Sequence, residues 1–504
     1  MNFKKNVTLL VAIMILPIVS CGQNGGIIID KNTEIINIVA FNDFHGAIYP
    51  EGSRMGLLRL GSYLKEQSQN PNTLILSQGD DWQGSIYSNY NHGQLINDVY
   101  AYVHMSARTV GNHDFDWGID KVIENTAREY DGYVTPVLAA NIYDYDFTTK
   151  TVGDIQQDSV GRQSITYTLE NGLKVGIVGV IGESQITTIT SSYTENICFT
   201  NHIEVIKNEA IRLRNNEKCD VVIATVHGGE GDVRGNALSD YVDLVLCGHT
   251  HRLERSSENG VVFAQFGAYG EYVGNIRLAY NKKDKRVTRT TVEVLDYSNI
   301  DTKIDTHIQS LIEEYSNECN DSANEVVANK VTNYFDQYEQ SANLMCKAMY
   351  DQAINEGHDD IILSYCNNAR HYLPYGSWTY ADLYESFPFD NTVYIVEVTG
   401  ADIYKEIYNY NCVYFNPTFN RQVNRYQKYK IAVLDYLLYH TNDRRYYDYF
   451  SSFTGTTVAS LQDNYRIILK NWLKNNGYND GKSIDSRDYS SSLYEYDGKS
   501  LTMI

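Results

Sequence analysis

Short apolar runs that each end on a cluster of polar side chains recur along this chain. Residues 35–41, 74–76, 221–226 and 242–247 are such runs, dominated by Ile, Val and Leu. Their length and lack of alternation predict strands buried on both faces, as in a layered α/β domain. Further along, residues 275–280 and 287–295 alternate apolar with polar positions and predict a pair of half-covered strands. Residues 304–315 change period, with Ile304, Ile308, Leu311, Ile312 and Tyr315 on one face of a predicted amphipathic helix. That helix connects two domains, with a boundary near residue 330.

The polar clusters at the ends of these runs carry the chemistry. Residues 35–41 lead into Asn42-Asp43-Phe44-His45, residues 74–76 into Gly79-Asp80, and residues 221–226 into His227-Gly228. Residues 242–247 lead into Gly248-His249-Thr250-His251, and Gly111-Asn112-His113-Asp114 lies between. Taken singly, each is an ordinary turn or a satisfied histidine. Taken together, they bring hard oxygen and imidazole donors to the rigid ends of strands, the usual place for a site in such a domain. Asp43, His45, Asp80, Asn112, His227, His249 and His251 amount to about seven ligands, roughly what two open divalent sites about 3.5–4 Å apart require.

These segments, together with Gly79-Asp80-Asp81-Trp82-Gln83-Gly84-Ser85, Gly111-Asn112-His113-Asp114-Phe115-Asp116 and Thr225-Val226-His227-Gly228-Gly229, resemble the five metallophosphoesterase motifs in their 5'-nucleotidase version. Gly56-Leu57-Leu58-Arg59-Leu60 resembles the helix after the first motif. The resemblance spans residues 34–300 and implies a four-layer α/β/β/α catalytic domain, followed by a helical linker over 301–330 and a smaller α+β substrate domain over 331–504. It implies that Asp43, His45, Asp80 and His251 hold one divalent ion and Asp80, Asn112, His227 and His249 the other, with Asp80 as the bridge. Zn²⁺, Mn²⁺, Fe²⁺ and Co²⁺ all suit such donors. His113 and Asp116 would form the catalytic dyad, the carboxylate orienting the imidazole. Asp81 receives no role, so Asp81→Asn is expected to lose neither metal nor activity.

The second half resembles the family's substrate domain less closely. Ser341-Ala342-Asn343-Leu344-Met345-Cys346-Lys347-Ala348-Met349 and Thr379-Tyr380-Ala381-Asp382-Leu383-Tyr384-Glu385-Ser386-Phe387-Pro388-Phe389-Asp390-Asn391 fit its signatures. The Gly-rich turn that precedes its substrate arginine is here Tyr365-Cys366-Asn367-Asn368-Ala369-Arg370, so Arg370 survives and the glycines do not. Phe415 and Tyr446 are the expected faces for stacking a base.

At the start, Lys4 and Lys5 precede an apolar run over 7–19 too short to span a bilayer. Ile18-Val19-Ser20-Cys21 resembles a bacterial lipobox. The expectation is a signal peptide over 1–20, lipidated Cys21, a tether over 21–33, and an exported protein anchored to the bacterial envelope. The other seven of the 8 cysteines are odd in number and irregularly spaced, which argues against a disulfide framework. A formal charge of −21 over 504 residues argues against nucleic-acid polymers as partners. A small phosphorylated substrate is still acceptable, because two divalent cations invert the local field. The function read from these features is dimetal hydrolysis of phosphate esters, foremost of a nucleotide to nucleoside and phosphate. Alternatives are a cyclic-nucleotide or sugar-nucleotide phosphodiesterase, a general organic phosphatase, and, in another class, a surface binding lipoprotein with a relict enzyme fold.

Overall fold

The computed structural model describes residues 30–146, 148–155, 160–409, 413–417, 419, 422–438, 449–453, 457–490, 494–496 and 501–503. The expected signal segment, Cys21 and Tyr446 lie outside the described residues.

Two six-stranded sheets stack face to face. The first runs Arg286–Asp296, Tyr272–Asn281, Thr33–Phe41, Thr73–Ser77, Ala107–Thr109, Val137–Leu138; the second runs Leu253–Glu258, Val261–Phe266, Leu244–Cys247, Val221–His227, Lys174–Ile181, Ser164–Thr168. Thr33–Phe41, Thr73–Ser77 and Ala107–Thr109 run parallel in the first, with Thr33–Phe41 antiparallel to Tyr272–Asn281, and Lys174–Ile181, Val221–His227 and Leu244–Cys247 run parallel in the second. Side-chain alternation then decides which residues fill which layer. Ile36, Ile38 and Ala40 point between the sheets, meeting Leu74, Leu76, Ile177, Ile223 and Leu246. Val39, Phe41 and Ile75 point outward, where Gly56–Gln67, Gln94–Tyr102 and Thr306–Ala323 cover them with Leu57, Leu60, Leu95, Val99 and Ile308. On the far side Val178, Val222 and Val245 meet Ile203, Ile206 and Leu213 of His202–Asn215. Both faces of each central strand are therefore buried, which is why these runs are apolar throughout. The result is four layers, α/β/β/α.

The connecting helix starts at Thr306, two residues later than its pattern suggests, because the Asp305 side chain accepts the His307 and Ile308 amide hydrogens. It continues to Ala323 because its buried face passes from Ile308, Leu311 and Ile312 to the small residues Ser316, Cys319 and Ala323. Hydropathy periods miss such a face. Its first turns belong to the core of the sheet sandwich and Ala323 to the core of the second domain.

That domain is a five-stranded sheet ordered Val413–Phe415, Ile361–Tyr365, Lys428–Leu434, Thr392–Thr399, Thr457–Asn464. Gln340–Asn355, Tyr380–Ser386, Gly400–Asn409 and Tyr465–Asn475 supply its helices. Tyr489 is buried in this core, its ring being large enough to serve as a core residue, and Tyr494–Tyr496 pairs with Leu501–Met503.

Candidate active site

The donors predicted at strand ends converge. Asp43, His45 and His251 form one cluster and Asp80, His227 and His249 a second, the ligand atoms within each lying within 4.8 Å of one another. Asn112 Oδ1 joins the second, 2.9 Å from His227 Nε2 and 3.0 Å from His249 Nδ1. The clusters touch through Asp80, whose Oδ2 is 3.2 Å from His227 Nε2 and 3.8 Å from His45 Nε2.

The chain is strained to achieve this. Asp43, His45, Asp80, His249 and His251 all have left-handed backbone, with φ of 50°, 46°, 55°, 73° and 57°. Such a conformation costs a non-glycine residue about 1–3 kcal/mol. At Gly111 the constraint is space, since a Cβ there would stand 2.1 Å from Asp80 Oδ1.

The donor set fits cations. His227 Nδ1 is 2.8 Å from the Gln78 carbonyl and His45 Nδ1 3.0 Å from that of Gln83. In the neutral ring, bonds from these nitrogens to carbonyl oxygens leave each Nε2 with its lone pair facing the site. His227 Nε2 faces the Asn112 oxygen at 2.9 Å, and His45 Nε2 faces His251 Nε2 at 3.0 Å. Burial pushes the Asp80 carboxyl upward, but His227 and His113 outweigh it and hold the group well below the usual range. Burial lowers His249 to about 4, while Asp80 overcomes burial at His227 and carries it to about 9. A cation in the second cluster would take the place of the His227 proton.

His113 comes after Asn112 in the short 3₁₀ turn Asn112–Phe115, where residues three apart eclipse, so Asp116 Oδ2 comes to lie 2.8 Å from His113 Nδ1. Burial raises the Asp116 carboxyl, with His113 opposing. The imidazole stacks on Phe389 of the second domain, with ring centroids 5.5 Å apart. These residues line a cavity of about 210 Å³ shared by the domains, with Asn112 and His249 on one wall and Asn367, Arg370, Asn391 and Tyr436 on the other. A second cavity of about 250 Å³ opens on the His45 side, lined by Tyr269, Arg54, His371 and Glu385, and Arg370 borders both.

The sequence-based site residues fare differently. The structure brings the seven donors, His113, Asp116 and Arg370 to one cleft. Phe415 does not join them. It is 5% exposed, paired with Leu363 in the core of the second domain, and has no open face for a base. Aromatic residues that do reach the cleft include Phe389 and Tyr436 on one cavity and Tyr269, with Tyr49 and Tyr87, on the other. Phe389 stood inside a recognised signature with no role attached, and Tyr269 comes after a strand end just as the ligands do. Nothing in the sequence marks Arg54 or His371. Asp81, which the resemblance leaves without a role, is fully buried and accepts bonds from Ser77, Tyr100 and Arg108.

Residues 36–253 match the family described as calcineurin-like phosphoesterase, and residues 322–423 match the 5'-nucleotidase C-terminal domain. An apyrase of Tabanus yao is 29% identical over 291 residues, spanning 50% of this chain and 49% of the apyrase. The 5'-nucleotidase precursor of Thermus thermophilus superposes with a TM-score of 0.71 at 16% identity, over 90% of this chain and 97% of that one. A putative 5'-nucleotidase from Staphylococcus aureus gives 0.67 at 19% identity, over 88% and 98%. At such identities the superpositions establish the fold. The chain spans about half or less of the length of the first curated relatives it matches. With the matched segments falling on the sheet sandwich and on the domain that closes over it, the chain is a calcineurin-like phosphoesterase domain followed by a 5'-nucleotidase C-terminal domain.

Proposed function

We propose that this protein hydrolyses phosphate monoesters, principally a nucleoside 5'-phosphate to nucleoside and inorganic phosphate. The observation that carries the reading is Asp80, a carboxylate of one donor cluster that also comes within 3.8 Å of His45 in the other, beside the His113–Asp116 pair on the wall of an interdomain cavity. In this reading Asp43, His45, Asp80 and His251 hold one divalent ion, and Asp80, Asn112, His227 and His249 the other. When bound, such a pair polarises the phosphoryl oxygens and lowers the pKa of water enough to supply hydroxide near neutral pH. Arg370 enters from the second domain and is suited to pair with the substrate's phosphate. His113, held by Asp116, hydrogen-bonds the phosphoryl oxygen as charge builds, or gives its proton to the departing ester oxygen. The P–O ester bond breaks as the new P–O bond forms, and the alcohol leaves with that proton. Phe389 and Tyr436 offer aromatic faces to a base.

A second reading, a phosphodiesterase or general organic phosphatase, is favoured by the loss of glycine from residues 366–369 and by the burial of Phe415. Export and anchoring through Cys21 rest on the lipobox-like sequence; among the described residues no helix is long and apolar enough to cross a membrane. Hydrolysis rates with Mn²⁺ on nucleoside monophosphates, cyclic nucleotides, sugar nucleotides and simple phosphate esters test the reading. A preference for a nucleoside 5'-phosphate is expected. Equal rates on the simple esters favour the second reading, and no hydrolysis of any of them favours a binding protein with a relict fold.

A further inference from the structure

Asp80 and Asn112 stand on separate loops, after the strands Thr73–Ser77 and Ala107–Thr109, whose register pairs Ser77 with Arg108. Beneath these loops lies an ion cluster that the proposed chemistry does not use. Arg108 Nε donates to Asp81 Oδ2 at 2.9 Å and its Nη2 to Asp114 Oδ2 at 2.6 Å, and all three side chains are 0% exposed. Asp81 is the neighbour of Asp80, and Asp114 lies two residues past Asn112 in the same turn. Asp81 also accepts from Ser77 Oγ at 2.8 and 2.9 Å and from Tyr100 OH at 3.0 Å, while Asp114 accepts the Gly111 amide hydrogen at 2.8 Å. The guanidinium lies 3.9 Å from the Trp82 ring, whose Nε1 donates to Asn97 Oδ1 at 3.0 Å.

Burying three charges is poor economy for stability alone, since apolar groups of similar volume commonly serve as well. What such a cluster does supply is registry. The planar fork of arginine fixes two carboxylates at a set separation, which the single ammonium of lysine does not. We propose that Arg108 is a positioning residue: by clamping Asp81 and Asp114 it sets the distance between the Asp80 and Asn112 loops, and with it the affinity of the Asp80, Asn112, His227, His249 site for its cation. The proposal rests on the metal reading of that site.

The test is a calorimetric Mn²⁺ titration of the full chain after removal of metal with a chelator, alongside thermal melting of the stripped protein. Arg108→Lys keeps the charge and loses the fork. The expected result is a cooperative melt with the Mn²⁺ site that includes Asn112 weakened by about 10–100-fold, the scale of losses from groups that orient ligands, and the other, which shares Asp80 but not Asn112, weakened less. Tyr100→Phe, which removes one bond to Asp81 at the same volume, should weaken the same site by less. It decides the matter if Arg108→Lys does not fold. A folded variant with both sites at wild-type affinity overturns the clamp, even if its melting temperature falls, because a purely structural role would move only the latter. In the same titration, wild type that takes up no Mn²⁺ overturns the metal reading itself.

Discussion

In the sheet sandwich, the donors stand at strand ends or on the turns just beyond, within short motifs. In the second domain the groups that reach the cleft come from segments after Tyr365, after Ser386 and after Leu434, and none of these motifs is self-contained. The difference arises from what each half must do. Holding two cations requires fixed donors at fixed distances, so the backbone itself is bent into left-handed geometry to aim them. Recognising a substrate requires loops that approach from the far side of a cleft, and such loops vary freely on a constant scaffold.

The comparison breaks first at Asp80. Asp80→Asn should lower turnover by about 10³-fold or more and remove most bound metal, because an amide offers one neutral oxygen where a carboxylate spans two cations. Elemental analysis finding two ions in that variant would show that the bridge lies elsewhere. His113→Ala should leave both ions in place and lower turnover by about 10²–10⁴-fold with little change in the Michaelis constant. A raised Michaelis constant with intact turnover would move His113 from the chemistry to binding.

A paired substitution sharpens the contrast between cleft and core. Phe389→Ala should weaken use of a nucleotide by about 5- to 150-fold, the value of one stacking face, more than it weakens use of a simple phosphate ester. Phe415→Ala should instead cost about 3–5 kcal/mol of stability, read by denaturant unfolding, and leave the ratio of the two substrates as it was. A changed ratio for Phe415→Ala would return that residue to the site.

The smallest expected effect is on pH dependence at the domain interface. Burial, reinforced by Glu51 and opposed by Arg54, raises Glu385 from an ordinary 4.5 to about 7. Because the folded value is raised, the stability it contributes is complete below about pH 4.5 and is lost as pH rises through about 7. Metal-free wild type should therefore lose more thermal stability between about pH 5 and about pH 8 than Glu385→Gln does. Identical slopes would mean that Glu385 is ionised throughout.

Legibility in the sequence tracks the same division. Residues 35–41 and 221–226 announced doubly buried strands because helices cover one face and the opposing sheet the other, and Asp43 or His227 at their ends needed no tertiary information. Phe415 misled because an aromatic residue in a Tyr-rich chain reads alike whether it stacks on a base or on Leu363. Arg54 and His371, adjoining in space, come from distant parts of the chain, and only the closed interface makes them neighbours. The immediate neighbours of Asp81 in the motif give it no role, whereas its partners Ser77, Tyr100 and Arg108 lie on three different elements. Long-range partners leave no local signal.

The central reading is most directly tested by stripping the protein of metal and following phosphate release from a nucleoside 5'-monophosphate as Mn²⁺ is added back. The expected result is no release from the stripped protein and a rate that saturates at two ions per chain, one for each donor cluster. Release that persists without metal, or that saturates at a single ion, would contradict a two-metal hydrolase.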